Sequence, residues 1–267
     1  MLDALLLNTG VHVRFVVRNR LLLAFSLLMA GIFALEMIPM VLMDTSANRF
    51  SELQAVTSQL ATFAMVFTAS LGLFTVSSHL RNRNLKMVFT KPCPPGVWLA
   101  SVYLSAALVA FVLYVVIALA AAGLSLAWHV PLQPGLAYAA LDGFFRAIVW
   151  LSFVTTLTVA FHPVVAVMIA LFVNDATFYG LKYMIAGAVA ANGAKTWLTI
   201  ATLACDVFYA ILPMSQPFDD RTREVYASWR VAGADWLLLM GIGGYAVLVL
   251  VLSYAMSLLL LRRKALI

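Results

Sequence analysis

The stretch Arg81-Asn82-Arg83-Asn84-Leu85-Lys86-Met87-Val88-Phe89-Thr90-Lys91-Pro92-Cys93-Pro94-Pro95 lies between two long apolar runs, 56–78 and 97–128. It holds four cations and no carboxylate. Lys and Arg resist translocation, so a loop of this kind between two membrane helices stays on the cytoplasmic side. Leu85, Val88 and Phe89 have helical spacing and predict a short helix with one apolar edge. Pro92, Pro94 and Pro95 then end it, because proline lacks an N–H and its ring clashes with the preceding turn.

The rest of the chain extends this pattern. Of 267 residues, 64% are hydrophobic and 10% are charged, where a soluble domain carries about 25% charge. The mean hydropathy is +1.00. The fold class that follows is an all-α polytopic membrane protein, with spans of roughly 20 residues crossing about 30 Å of hydrocarbon. The net charge of +6 does not point to nucleic acid. Ten of the 17 basic residues fall in three clusters: Arg14, Arg18 and Arg20; Arg81, Arg83, Lys86 and Lys91; Arg262, Arg263 and Lys264. Each cluster abuts an apolar run, so membrane topology and contact with lipid headgroups explain most of the basicity. The first apolar stretch has no basic segment ahead of it, so no cleavable signal is expected.

Residues 3–18 place Leu5, Leu6, Val13 and Val17 among His12, Arg14 and Arg18, which suggests an interfacial helix on the cytoplasmic leaflet. A frayed start to the first span is the plainer alternative. Spans are expected over 21–43, 56–78, 97–128, 136–161, 164–183 and 236–261. With the N-terminus inside, six crossings put all three basic clusters in the cytoplasm. A seventh crossing by the apolar run 197–212 would put the C-terminal cluster outside. The region 184–235 is therefore expected to be external, with that run dipping into the membrane as a re-entrant element. Cys93 and Cys205 then fall on opposite sides, which argues against a disulfide or a two-cysteine metal site within one chain.

The motifs of covalent chemistry are missing from the sequence. There is no G-x-x-x-x-G-K-[ST], no H-E-x-x-H and no G-x-S-x-G. His12, His79, His129 and His162 are scattered over different loops or span ends. No catalytic residue, metal site or bound cofactor is expected on this chain.

Ionisable residues inside spans are costly and are candidates for function by default. Asp142 and Arg146 are four residues apart and share a helix face. An intrahelical ion pair that lets both charges enter the bundle is the plain explanation. Asp175 and Lys182, seven apart, also share a face, and either form a clamp, with each other or with Arg146 and Asp142, or contact a substrate. Glu36 lies toward the outer end of the first span, where it lines a lateral exit or simply reaches the interface. Met37, Met40 and Met43 nearby fit either a soft-metal site or pliable packing. The hydroxyls of the second span, Thr57, Ser58, Thr62, Thr68, Ser70, Thr75, Ser77 and Ser78, line a polar path or allow close helix packing. Gly241, Gly243 and Gly244 suit close packing.

The layout resembles the permease subunit of ABC-2 type transporters, the type V exporter group. Val13-Arg14-Phe15-Val16-Val17-Arg18-Asn19-Arg20 is similar to that family's elbow helix, here residues 1–20. Leu85-Lys86-Met87-Val88-Phe89-Thr90-Lys91-Pro92 is similar to its leucine-x-x-leucine-x-x-x-lysine/arginine-proline loop, and Tyr209 to Pro213 to its tyrosine-x-x-x-proline pattern. The chain departs from the family where Asn and Arg open the loop, where Cys93-Pro94-Pro95 follow it, and where Leu99-Ala100 replace a Gly-Lys pair. The resemblance implies that 81–95 is a coupling loop docking on a separate ATPase, with Arg81, Arg83, Leu85, Lys86, Val88, Phe89, Lys91 and Pro92 as the contact residues. It further implies two ATPase copies carrying ATP and Mg, a second permease copy or a homologue, a gate formed by 184–235, and a bacterial plasma membrane with both termini cytoplasmic. An alternative from another class is a scaffold or mechanical transmission subunit that passes ATPase-driven movement to a partner protein. An orphan membrane enzyme is a third possibility, with the missing motifs against it.

Overall fold

The computed structural model describes residues 2–18, 23–25, 27–31, 34, 49–81, 94–172, 175–192, 196–211 and 230–265. Every element among them is an α-helix: α1 (Leu2–Arg18), α2 (Arg49–Arg81), α3 (Pro95–Ala127), α4 (Gly135–Ala160), α5 (Pro163–Phe172), α6 (Asp175–Asn192), α7 (Thr196–Ile211) and α8 (Gly233–Ala265). Four of them, α2, α3, α4 and α8, are long and apolar enough to cross a membrane. At 1.5 Å per residue a 33-residue helix such as α2 or α3 extends about 50 Å, well beyond the hydrocarbon.

The helix ends follow from local chemistry. Pro95 occupies the first helical position of α3, where its missing N–H leaves nothing unbonded and its fixed φ suits the helix. At the other end His129 takes a left-handed conformation with φ 57°. The Val130 N–H then reaches the Ser125 carbonyl at 2.9 Å and the His129 N–H reaches Leu126 at 3.2 Å, the paired closure usually made with glycine. Pro163 opens α5, and His162 supports that start by accepting the Val164 N–H on Nδ1 at 3.4 Å. At the start of α8 the Asp235 carboxylate accepts the Ala232 N–H at 2.7 Å, which is half of a capping box.

Helix α4 is the centre of the bundle and packs on α2, α3, α5 and α8. Its partners fix the directions of the chain. Leu53 meets Leu136, and Gly72 meets Leu151 and Thr155, so α2 and α4 run the same way. Tyr138 meets Trp236 and Phe145 meets Gly243, so α8 runs with them. Arg49 bonds the Trp128 carbonyl at 3.5 Å and Tyr114 bonds that of Ala61, so α3 runs against α2. The ends at Arg81, Pro95, Ala160 and Ala265 therefore share one side of the bundle. Helix α1 docks on the same side, with the His12 ring edge-on to Trp98 at 6.5 Å.

The surface suits lipid. Helix α1 buries Thr9, His12 and Val16 against the bundle and turns Leu6, Leu7, Val11 and Phe15 outward. Leu108, Val112, Val115 and Leu119 make an exposed apolar stripe on α3, and Leu237, Met240, Val247 and Val251 make one on α8. In hydrocarbon such faces need no further cover.

The spans expected over 56–78, 97–128, 136–161 and 236–261 correspond to α2, α3, α4 and α8, each within a few residues except that α2 begins seven residues earlier, at Arg49. Over the run expected as one span, 164–183, the described residues form α5 up to Phe172 and α6 from Asp175, and α6 continues past the expected boundary at 183/184 to Asn192. The run 197–212 forms a regular helix, α7, pairing with α6 across residues 193–195. Most of the first span, 21–43, lies outside the described residues. Phe25 nevertheless stacks on Phe67 of α2 at 3.9 Å, and Met29 packs beside Leu60 and Ala64.

Candidate functional site

The charge at the heart of the bundle is Asp142, which is fully buried on α4. One turn later Arg146 turns back, and its Nε donates to Asp142 Oδ2 at 2.8 Å. The pair is lopsided: the carboxylate side chain is 0% exposed and the guanidinium 20%. The four-residue spacing fixes this geometry, since i and i+4 lie one above the other on a helix.

Beside the pair, Tyr114 joins three helices. It leaves α3, donates its hydroxyl to the Ala61 carbonyl of α2 at 2.8 Å, and lays its ring against Gly143 of α4. A Cβ at position 143 would stand 2.6 Å from Tyr114 Cε1, so only glycine admits the ring. Phe144 packs edge-on to both Tyr114 and Phe111. Nothing in the sequence marked Tyr114 or Gly143, because the contact joins residues far apart in the chain.

The hydroxyls of the second span bond back to their own helix. Thr57, Thr62, Thr68 and Ser70 return their hydroxyls to carbonyls one turn back on their own helix, at 2.7–2.9 Å. Ser77 and Ser78 do the same across three residues. Gly72 lets Thr155 and Leu151 of α4 approach the α2 backbone, and the Thr155 hydroxyl faces it closely. On the other side of α4 a chain of hydroxyls crosses between helices. Tyr103 of α3 meets Ser257 of α8 at 3.3 Å, Ser257 donates to Thr156 of α4 at 3.2 Å, and Thr156 also reaches the Ser253 carbonyl at 3.4 Å.

Of the second predicted charge cluster, the side chain of Lys182 is described. Lys182 pairs with Asp206 of α7 at 2.7 Å, with both side chains about half exposed. The expected partners on α4 are already engaged with each other. Asp206 was overlooked because α7 was expected to be an irregular dip, whereas an antiparallel helix brings it opposite Lys182. The side chain of Asp175, together with Glu36, Met37, Met40 and Met43, lies outside the described residues. So do Arg83, Leu85, Lys86, Val88, Phe89, Lys91 and Pro92, and Cys93 with them. Arg81 is the last residue of α2. Among the described residues no group of three His, Cys, Asp or Glu is placed to hold a metal ion. Among the described side chains, the exposed cations at the shared end include Arg14 and Arg18 of α1 and Arg262 and Arg263 of α8.

No family model matches the chain, and no curated protein matches it significantly.

Proposed function

We propose that this chain is the membrane-spanning permease subunit of an ATP-binding cassette exporter, coupled to a separate ATPase through the basic loop 81–95. The observation that carries the proposal is the gathering of cations at one end of the bundle. Helices α2, α4 and α8 run together and α3 runs against them, so Arg81 and the Arg262–Arg263 pair come to the side where α3 begins and α1 docks. By the sign rule that side is cytoplasmic. Helix α2 starts at the opposite end from α1, and α8 starts at the opposite end from the close of α4. The chain therefore passes between the two ends an odd number of times within 18–49 and within 160–233; one passage in each gives, with the four long helices, the six crossings of this reading. The loop 81–95 then hangs between α2 and α3 on the cytoplasmic face, where a soluble motor can reach it.

In this scheme the chain does its work by conformation and not by covalent chemistry. Two ATPases holding ATP and Mg close on each other and displace two such loops, one from each permease copy or homologue, and the helices switch as rigid bodies. Asp142, Arg146 and the charges near α6 are the candidates for the pathway. The setting is a bacterial plasma membrane, with both termini cytoplasmic.

The test is affinity purification of the intact chain in mild detergent, with mass identification of what accompanies it. The same is done with Leu85, Val88 and Phe89 changed to Asp. An ATPase that co-purifies with the unchanged chain and is lost with the changes supports the proposal. Absence of any ATPase across several detergents removes its mechanism.

A further inference from the structure

Among the described residues, the hydrogen bonds between α3 and α8 lie toward one end of the bundle. Tyr254 donates its hydroxyl to the Gly96 carbonyl at 3.1 Å, in the first turn of α3. Tyr103 and Tyr254 pack edge-on at 6.4 Å, and Tyr103 meets Ser257. Leu261 is buried among Trp98, Leu99 and Val102. Glycine at 96 is needed for this approach, since a Cβ there would stand 2.9 Å from the Tyr254 hydroxyl. The chain of hydroxyls then continues through Ser257 into Thr156 of α4. Tyr103 and Ser257 are buried, and in a low-dielectric interior such bonds have no water to exchange with.

Toward the other end the two helices part company in their partners. Helix α3 sends Tyr114 to α2 and to Gly143 of α4, while α8 sets Gly243 against Phe145 and Trp236 against Tyr138. Each therefore rests on α4 by its own contacts. None of these contacts joins α3 to α8.

We infer that the Tyr103–Ser257–Thr156 chain, with Tyr254 on Gly96, is a fixed pivot about which α3 and α8 spread at their far ends. It lies at the start of α3, directly after the basic loop. A displacement arriving there turns both helices without parting them, and the separation opens on the opposite side of the membrane. The pivot is a property of the bundle itself and stands whether or not the motor is an ATPase.

The test is pulsed electron–electron distance measurement on spin-labelled intact chain in lipid nanodiscs. One pair of labels sits near the pivot, at Pro94 and Arg262. The other sits at the far ends, at Leu126 and Leu237, both well exposed. The expected result is a single narrow distance for the pivot pair and a broader or two-peaked distribution for the far pair. Tyr103→Phe with Ser257→Ala is expected to broaden the pivot pair. A far pair as narrow as the pivot pair overturns the inference, as does a pivot pair that is already broad in the unchanged chain. It is equally overturned if the double change leaves the pivot pair as it was. The first two comparisons need no substitution in the pivot, so they stand even if the double variant folds poorly.

Discussion

Removing one member of the Asp142–Arg146 pair is expected to be worse than removing both. Breaking a buried pair leaves an uncompensated charge and costs about 3–5 kcal/mol, whereas replacing both partners by apolar residues is often close to neutral. The exposures rank the two single changes. Arg146→Met leaves a carboxylate with no exposure at all, which places it at about 4 kcal/mol or more. Asp142→Leu leaves a guanidinium that is already 20% exposed on a long stem, able to swing toward the surface, which places it nearer 3 kcal/mol. Simple addition predicts a loss of about 7 kcal/mol for the double variant, while the pair geometry predicts a loss of under about 2 kcal/mol. The assay is equilibrium unfolding in mixed micelles by SDS titration, on the four proteins of the cycle. A double variant that falls as far as the sum of the singles would refute the reasoning. It would mean that Asp142 and Arg146 each hold a separate partner and that their mutual bond is incidental.

Two further predictions rest on neighbouring features. Gly143→Ala forces Tyr114 aside and is expected to cost about 1–3 kcal/mol, as overpacking does. Gly241→Ala meets open space on an exposed helix face and is expected to be neutral or to stabilise by up to about 1 kcal/mol. Equal melting temperatures for the two variants in detergent would contradict this. With Cys93 and Cys205 changed to Ser, a cysteine at Leu132, in the α3–α4 turn, is expected to react with an impermeant maleimide on intact cells. A cysteine at Arg263 is expected to react only after lysis; the reverse pattern would invert the orientation proposed for the bundle.

Much of the fold was legible because hydrophobic length is a strong signal. The runs 97–128 and 136–161 are bounded by Pro94-Pro95, by Pro131 and Pro134, and by His162-Pro163, and the helices begin and end within four residues of these. The region 161–211 was harder. A run of apolar residues predicts helix without marking its limits, and α6 carries on to Asn192, past the expected boundary at 183/184. The run 197–212 reads as a dip because a seventh crossing would put the C-terminal basic cluster outside. That argument sets a topology and leaves the conformation open, and a short helix meets it equally, provided a neighbour receives its inner face. Helix α6 is that neighbour, and Leu198 and Cys205 of α7 are buried.

The candidate site divides along the same line between local and distant information. Asp142 and Arg146 could be paired from the sequence alone because four residues make one turn and no tertiary knowledge is needed. Lys182 could not, since its partner lies 24 residues away on a helix whose direction was unknown. The glycines show the limit most clearly. In sequence, Gly241, Gly243 and Gly244 look alike, yet only Gly243 meets a neighbour, Phe145, while the other two face open space. One residue along a helix is a turn of 100°, so adjacent glycines point to different surroundings and only the packed partner tells them apart. Gly143, which no pattern singled out, carries the tighter contact because Tyr114 arrives from another helix. Proximity to Asp142 then follows from the ring's position, and a tyrosine in an apolar run becomes the neighbour of the one buried acid described on α4.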